Sequence, residues 1–397
     1  MEQFALKKNF SDKTILICTV CVALSFLAQI FQVNAVVNLI YVFSLFVVIW
    51  GYFGNGYVNP VMIWLIVVSA FCIVMRGMVT NDMDYFSHYI INITTFMCIE
   101  MGVEVEVEEK NAKRMAYIFL ATGAILVASY YAGPLKTSYF EGTEAVALNM
   151  HNPNAAALWL VCIFAILYYC AFIFNGIKRY ISLGLAILIV PIILATESRN
   201  SYYACLLLLV FLPLTKLLKI RKVPKWVMLI IAMLPIIVFF FYMYVMVDNM
   251  EFWEGIFGGG SIDKSLGTRK SVWTIVQREL QDDFLIGNYP NRYADQMHNS
   301  LMTIYCRYGA IVTALAVTVT YRALIRLQET ASFSGALSLA AILFTGCFEG
   351  SLFIGIAGLY LMLLVIPAIA GVESIKEHEK IERIYAWRSS LGSKSRM

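Results

Sequence analysis

Charge is scarce in this 397-residue sequence: Asp, Glu, Lys and Arg together make up 14% of it, against about a quarter in an average soluble domain. So few charged side chains cannot clothe a water-borne globule of this size. A phosphate-cradling glycine loop and a soluble nucleotide-sugar domain are missing, so the energy for any reaction must arrive with the substrate. The nine cysteines (18, 21, 72, 98, 162, 170, 205, 306, 347) fall in or beside apolar blocks, which indicates neither a disulfide framework nor a metal-ligand set. No acidic or basic residue falls at the middle of an apolar block. Ion-coupled transporters place such groups near the midplane, within repeated halves, and no internal repeat is visible here. The net charge of +4 is too small to point to nucleic acid as a partner.

What the chain has in abundance is apolar length. Hydrophobic residues make up 60% and aromatic residues 14% of it, with mean hydropathy +0.73. Most lie in blocks of roughly 17–25 residues, the length that crosses ~30 Å of hydrocarbon. The expected fold is an all-α polytopic membrane protein with about twelve spans, near 14–32, 35–52, 59–75, 85–101, 115–132, 155–175, 180–196, 201–218, 226–247, 300–321, 334–349 and 352–370. The first block follows Lys7, Lys8 and Lys13 and is too long for a signal core, so it reads as a span. With both termini cytoplasmic, 21 of the 30 Lys and Arg residues fall on the inner side, while acidic residues divide almost evenly. That asymmetry satisfies the positive-inside rule. Residues 1–370 form one integral membrane domain, and 371–397 a charged cytoplasmic tail.

The basic residues left outside are Arg76, Lys136, Arg199, Lys264, Arg269, Lys270, Arg278, Arg292 and Arg307, and most crowd around one long external loop, about 248–299. Loops of that length in a compact domain are usually functional. Within it Trp273, Val276, Leu280 and Phe284 recur at helical steps, which predicts an amphipathic helix on the outer membrane surface. His298 stands where the loop re-enters the membrane; a neutral imidazole there can take a proton from a hydroxyl, or simply cap the following span. Arg199, Arg269, Arg292 and Arg307 suit a phosphate-bearing ligand, because guanidinium binds phosphate oxygens as a planar fork. Arg199 alternatively pairs with Glu197, and Arg278 reads as a solvated residue paired with Asp282. Asp82 and Asp84 could hold a divalent ion, but two acids without further ligands favour solvated loop residues. His88 reads as a headgroup-level residue and His151 as part of the polar stretch with Asn152, Pro153 and Asn154. Glu349, alone in an apolar region, calls for a partner, with an outer arginine the obvious choice.

Several of these residues form a pattern. Thr196-Glu197-Ser198-Arg199, Gly267-Thr268-Arg269 with Trp273 and Leu285-Ile286-Gly287 beyond it, and His298-Asn299 followed after nine residues by Gly309 resemble the O-antigen ligase and polysaccharide polymerase family. Asn152-Pro153-Asn154 fits as well, and the resemblance covers roughly 150–325. It implies transfer of a glycan carried on undecaprenyl diphosphate, at the outer face of the bacterial cytoplasmic (inner) membrane, with no cofactor or metal. Arg199 and Arg269 would bind the donor diphosphate, and His298 would activate the acceptor hydroxyl. Asn299, Asn154, Arg292, Arg307 and Glu349 would lend support. A second lipid-linked glycan, a repeat-unit flippase and a chain-length regulator are the partners it implies, along with the bilayer. Val312, where the ligase form often carries a small or polar residue, favours a polymerase over a ligase that moves finished chains to lipid A–core. A flippase or exporter of lipid-linked sugars would want cations spanning the bilayer, whereas these gather at one face; a non-catalytic scaffold is the remaining alternative.

Overall fold

Helix α6 (Pro153–Ile173) shows how this sequence builds its interior. Asn152 caps it, accepting from the Asn154 backbone N–H at 2.8 Å, and Pro153 occupies the first turn, where a missing N–H costs nothing. Beyond that turn it is apolar on every face, and nearly every side chain from Ala156 to Ile173 is buried. A helix hydrophobic all round belongs at the centre.

In this computed structural model the described residues are 12–54, 59–80, 86–104, 107–139, 144–150, 152–218, 220–246, 271–276, 278, 283–288, 297–349 and 358–372. The other elements are, in chain order, α1 (Asp12–Ile30), α2 (Asn34–Gly54), α3 (Pro60–Thr80), α4 (Phe86–Glu104), α5 (Glu109–Tyr131), α7 (Ile177–Ala195), α8 (Arg199–Leu217) and α9 (Lys225–Phe241), the last continued by a π turn, Tyr242–Met246; α5, α7 and α8 pack directly on α6. The long run α10 (Ser300–Thr345) and the buried α11 (Leu359–Val372) complete the bundle. No strand occurs among the described residues; Tyr139 and Val146 form an isolated bridge. Among the described residues seven helices are long and apolar enough to cross a membrane, and four apolar helices are shorter. This is an all-α membrane protein. Its lipid-ready faces are plain on α2, where Phe46 and Trp50 are 71% and 81% exposed.

Lipid tails are as apolar as leucine, so close packing and buried polar contacts hold such helices together. A Cβ on Gly102 of α4 would stand 2.8 Å from the carbonyls of Leu363 and Leu364, so α4 and α11 touch backbone to backbone. The hydroxyls of Ser44 (α2) and Tyr360 (α11) meet at 2.6 Å. Tyr52 of α2 donates to Glu100 of α4 at 2.6 Å, and Tyr169 of α6 donates to the Ser334 carbonyl at 2.6 Å.

Helix α10 departs from expectation. Residues 322–333, expected as a loop, are helical, so Ser300–Thr345 is a single run of 46 residues. Laid straight it would be roughly 69 Å long, yet the Ser300 N–H donates to the Gly346 carbonyl at 2.8 Å. The run therefore folds back, and two breaks in its ladder are evident. At Gly309, φ is +78°; Ala310 N–H, which would normally donate to Cys306, donates to Phe284 O at 2.9 Å, and Cys306 O accepts from Asn288 N–H at 2.9 Å. Residues 283–288 are thus inserted into the opened helical ladder, a recognised cause of a kink. At Phe333 the N–H turns to Arg221 O at 2.8 Å, while Gln328 bonds both backbone groups of Val223 and Arg326 pairs with Glu104 at 3.4 Å.

Candidate functional site

The fold-back of α10 assembles the site. Asn299 caps the helix, its Oδ1 accepting from Met302 N–H at 3.0 Å. Its Nδ2 donates to Pro235 O in α9 at 2.8 Å and to Cys347 O at 3.0 Å. Ser300 Oγ donates to the Glu349 carbonyl at 2.6 Å. One fully buried amide thereby ties together the start of α10, the middle of α9 and the far end of the same run. Glu349, itself buried, is brought beside Asn299 and Ser300 through its backbone, a convergence no local motif announces.

Immediately before this knot, His298 is half-buried and has φ +46°. A left-handed backbone costs a non-glycine residue roughly 1–2 kcal/mol, and such strain collects where surrounding structure over-determines it. Both neighbours are pinned. On one side is Asn299. On the other, the fully buried Met297 accepts from Trp273 Nε1 at 2.7 Å. Trp273 is 1% exposed and packs its ring on Phe239 and Tyr242, with centroids 4.7 and 5.0 Å away.

Residues 271–276 are helical, as the periodicity predicts, but Trp273 and Val276 are buried against α9, Met297, Met302 and Cys306. The apolar face of this segment meets protein where the membrane surface was expected. Beside it opens a cavity of about 660 Å³, lined mainly by apolar groups including Ile236 and Phe240 of α9, Val276, Phe284, Met302 and Val317. Met302 lies one helical turn beyond Asn299, so the cavity borders the histidine's anchor.

The arginines are dispersed among different environments. Arg199 opens α8, exposed, on a turn where Glu197 has φ +56° and Ser198 Oγ contacts Ser201 Oγ at 3.1 Å. No ion pair joins it to Glu197, and no hydrogen bond joins it to His298. Arg307 faces into the bundle, 2% exposed, with Nη2 2.9 Å from His88 Nδ1 and Nη1 3.4 Å from Asn92 Oδ1. Tyr308 donates to the same Asn92 oxygen at 2.9 Å. Guanidinium only donates, so His88 Nδ1 must accept there: His88, in the first turn of α4, serves a contact within the bundle. Arg278 is exposed, as a solvated residue should be. Asn154 is half-buried in the first turn of α6 and contributes its N–H to the cap. Arg269, Arg292, His151, Asp82 and Asp84 lie outside the described residues. Among the described residues no group of three or more His, Cys, Asp and Glu side chains forms a metal-ligand set, and all nine cysteines are reduced and buried.

The residues that sequence reasoning missed are Trp273 as a hydrogen-bond donor, Pro235 and Cys347 as acceptors, and Ser300. Only the tryptophan carried a signal, its place on the apolar face of the loop helix. No protein-family model matches the chain, and neither a curated protein nor a solved structure matches it.

Proposed function

We propose that this chain is a polysaccharide polymerase of the bacterial cytoplasmic membrane. It crosses twelve times with both termini inside and transfers a glycan from undecaprenyl diphosphate to a sugar hydroxyl of a second lipid-linked glycan at the outer face. The observation that carries this reading is His298, strained and clamped on both sides, with an apolar cavity between helices opening at Met302, one helical turn beyond its anchor Asn299. A general base needs a fixed imidazole, and a donor with a polyprenyl tail needs an apolar recess beside it. The two-sided frame agrees with the contacts: inner Arg326 meets inner Glu104, and outer Asn149 donates to outer Ile30 O at 2.8 Å.

In the proposed step the acceptor hydroxyl gives its proton to His298 while its oxygen attacks the anomeric carbon from the face opposite the diphosphate. The bond from that carbon to the diphosphate oxygen breaks with its electron pair, inverting the centre and releasing undecaprenyl diphosphate. Arg199 and Arg269 stabilise the charge that develops on the leaving group. No metal takes part. A flippase supplies the lipid-linked units and a chain-length regulator works on the product.

The test is complementation in cells whose own copy of the gene is deleted. His298→Ala should be made and inserted normally yet leave surface glycan as single repeat units. Normal-length polymer from that variant would remove His298 from the mechanism. Complete polymer that accumulates on its lipid carrier, with lipid A–core left unglycosylated, would identify the ligase instead. Activity that persists in excess chelator supports the metal-free step.

A further inference from the structure

The φ angle of His298 is the rotation between the Met297–His298 peptide plane and the rest of the histidine. Whatever holds the Met297 carbonyl therefore helps fix the direction in which the Cα–Cβ bond of His298 leaves the backbone, and with it the space its imidazole can reach. That carbonyl is held by one side-chain donor, the indole N–H of Trp273, at 2.7 Å. The indole cannot follow a moving backbone, because its ring is fixed against Phe239 and Tyr242 at centroid distances of 4.7 and 5.0 Å. The other side of His298 is held by Asn299, whose side chain bonds three backbone groups. Between these two anchors the histidine keeps φ +46°, a conformation it would leave for the ordinary negative-φ basin if either let go.

We propose that Trp273 is a positioning residue for His298: its N–H, more than its bulk, keeps the histidine backbone left-handed and its imidazole aimed at the acceptor. The inference rests on the reading of His298 as the general base. It adds a role for the outer-loop helix, which carries the fixed end of the clamp. A tryptophan that merely fills space would need its ring and not its N–H, and the two can be separated.

The experiment replaces Trp273 in the full-length protein with 3-benzothienylalanine, a ring of the same shape in which sulfur stands where the N–H was. A parallel protein carries 4-fluorotryptophan, which keeps the donor. The first readout requires no substrate: the rate at which diethyl pyrocarbonate modifies His298, read by peptide mass spectrometry against the other three histidines of the chain. The second is polymer formation in the deletion cells. With the sulfur ring, melting in detergent should be unchanged, the His298 modification rate should change at least about threefold, and polymer formation should fall by about tenfold or more, in line with the cost of misplacing a catalytic group. The fluorinated indole should restore both. An unchanged His298 rate with the sulfur ring overturns the proposal, as does an equal loss with both analogues, which would mark simple packing. Should His298→Ala still polymerise, the reading of the base fails, while the modification rate still decides whether Trp273 orients the ring.

Discussion

Gly287 and Gly309 meet backbone to backbone. A Cβ on Gly287 would stand 2.5 Å from Gly309 N, and one on Gly309 would run into the Leu285 carbonyl. Both have positive φ, +69° and +78°. This contact lets residues 283–288 enter the opened ladder of α10, with Phe284 O and Asn288 N–H replacing the bond between Ala310 and Cys306. It also sets Phe284 against Tyr305, ring centroids 6.2 Å apart, as part of the cavity wall.

Gly309→Ala should therefore release the loop. The left-handed backbone alone costs alanine roughly 1–2 kcal/mol, and the collision adds to it. The expected result is faster amide exchange at Ala310 and Asn288 and a severe loss of polymer. Unchanged exchange at both amides would show that the loop does not depend on this contact.

Strain at His298 makes the histidine costly to the fold, which separates stability from chemistry. His298→Gly should leave the melting temperature unchanged or raise it slightly, since it relieves roughly 1–2 kcal/mol of left-handed strain against about 0.4–1 kcal/mol for glycine's extra freedom in the unfolded chain. Transfer should be abolished all the same. A clear drop in melting temperature would mean the imidazole is structural.

Asn299 does two jobs that one substitution can divide. Asn299→Asp keeps an oxygen to cap α10 but loses the donor to Pro235 and Cys347. Removing a donor from buried acceptors costs about 1–3 kcal/mol, and a buried carboxylate facing two carbonyls adds to that. Asn299→Asp should thus be at least as destabilising as Asn299→Ala, the reverse of the order for a residue that only caps. Thermal melting of the two purified variants distinguishes the cases.

The membrane class, the ends of most helices and the helical character of residues 271–276 were legible because each follows from local pattern: apolar length, or a three- and four-residue step. What stayed hidden depends on distant pairing. Nothing near Ser300 says that it will bond Gly346, and nothing near Trp273 points to Met297. The continuation of α10 through 322–333 was obscured for another reason. Arg322, Arg326 and Gln328 read as loop by polarity, yet they are adequate helix formers, and Glu104 and Val223 give two of them partners. The surroundings of Arg307 were hidden for the same reason as the Ser300 contact: its partners His88 and Asn92 come from α4, more than 200 residues earlier in the chain.

The proposed orientation has a direct check. All nine native cysteines are buried, so a single cysteine introduced as Ser261→Cys should react alone with an impermeant thiol reagent added to intact cells with permeable outer layers. Protection until the cytoplasmic membrane is opened would invert the topology.

Arg199 and Arg307 make a contrasting pair whose variants should fail differently. Arg199 is exposed at the first turn of α8, so Arg199→Lys should change melting by no more than about 0.5 kcal/mol. If it grips a diphosphate, a point charge replacing the planar fork should still cut polymer formation by about tenfold or more. Arg307 is buried, with two contacts to α4, and lysine cannot reach both acceptors. Arg307→Lys should lower the melting temperature first and lose activity in proportion to folded protein. Full activity of Arg199→Lys would demote Arg199 from donor binding. Activity lost by Arg307→Lys at wild-type melting would mean that Arg307, not Arg199, is the residue that meets the substrate.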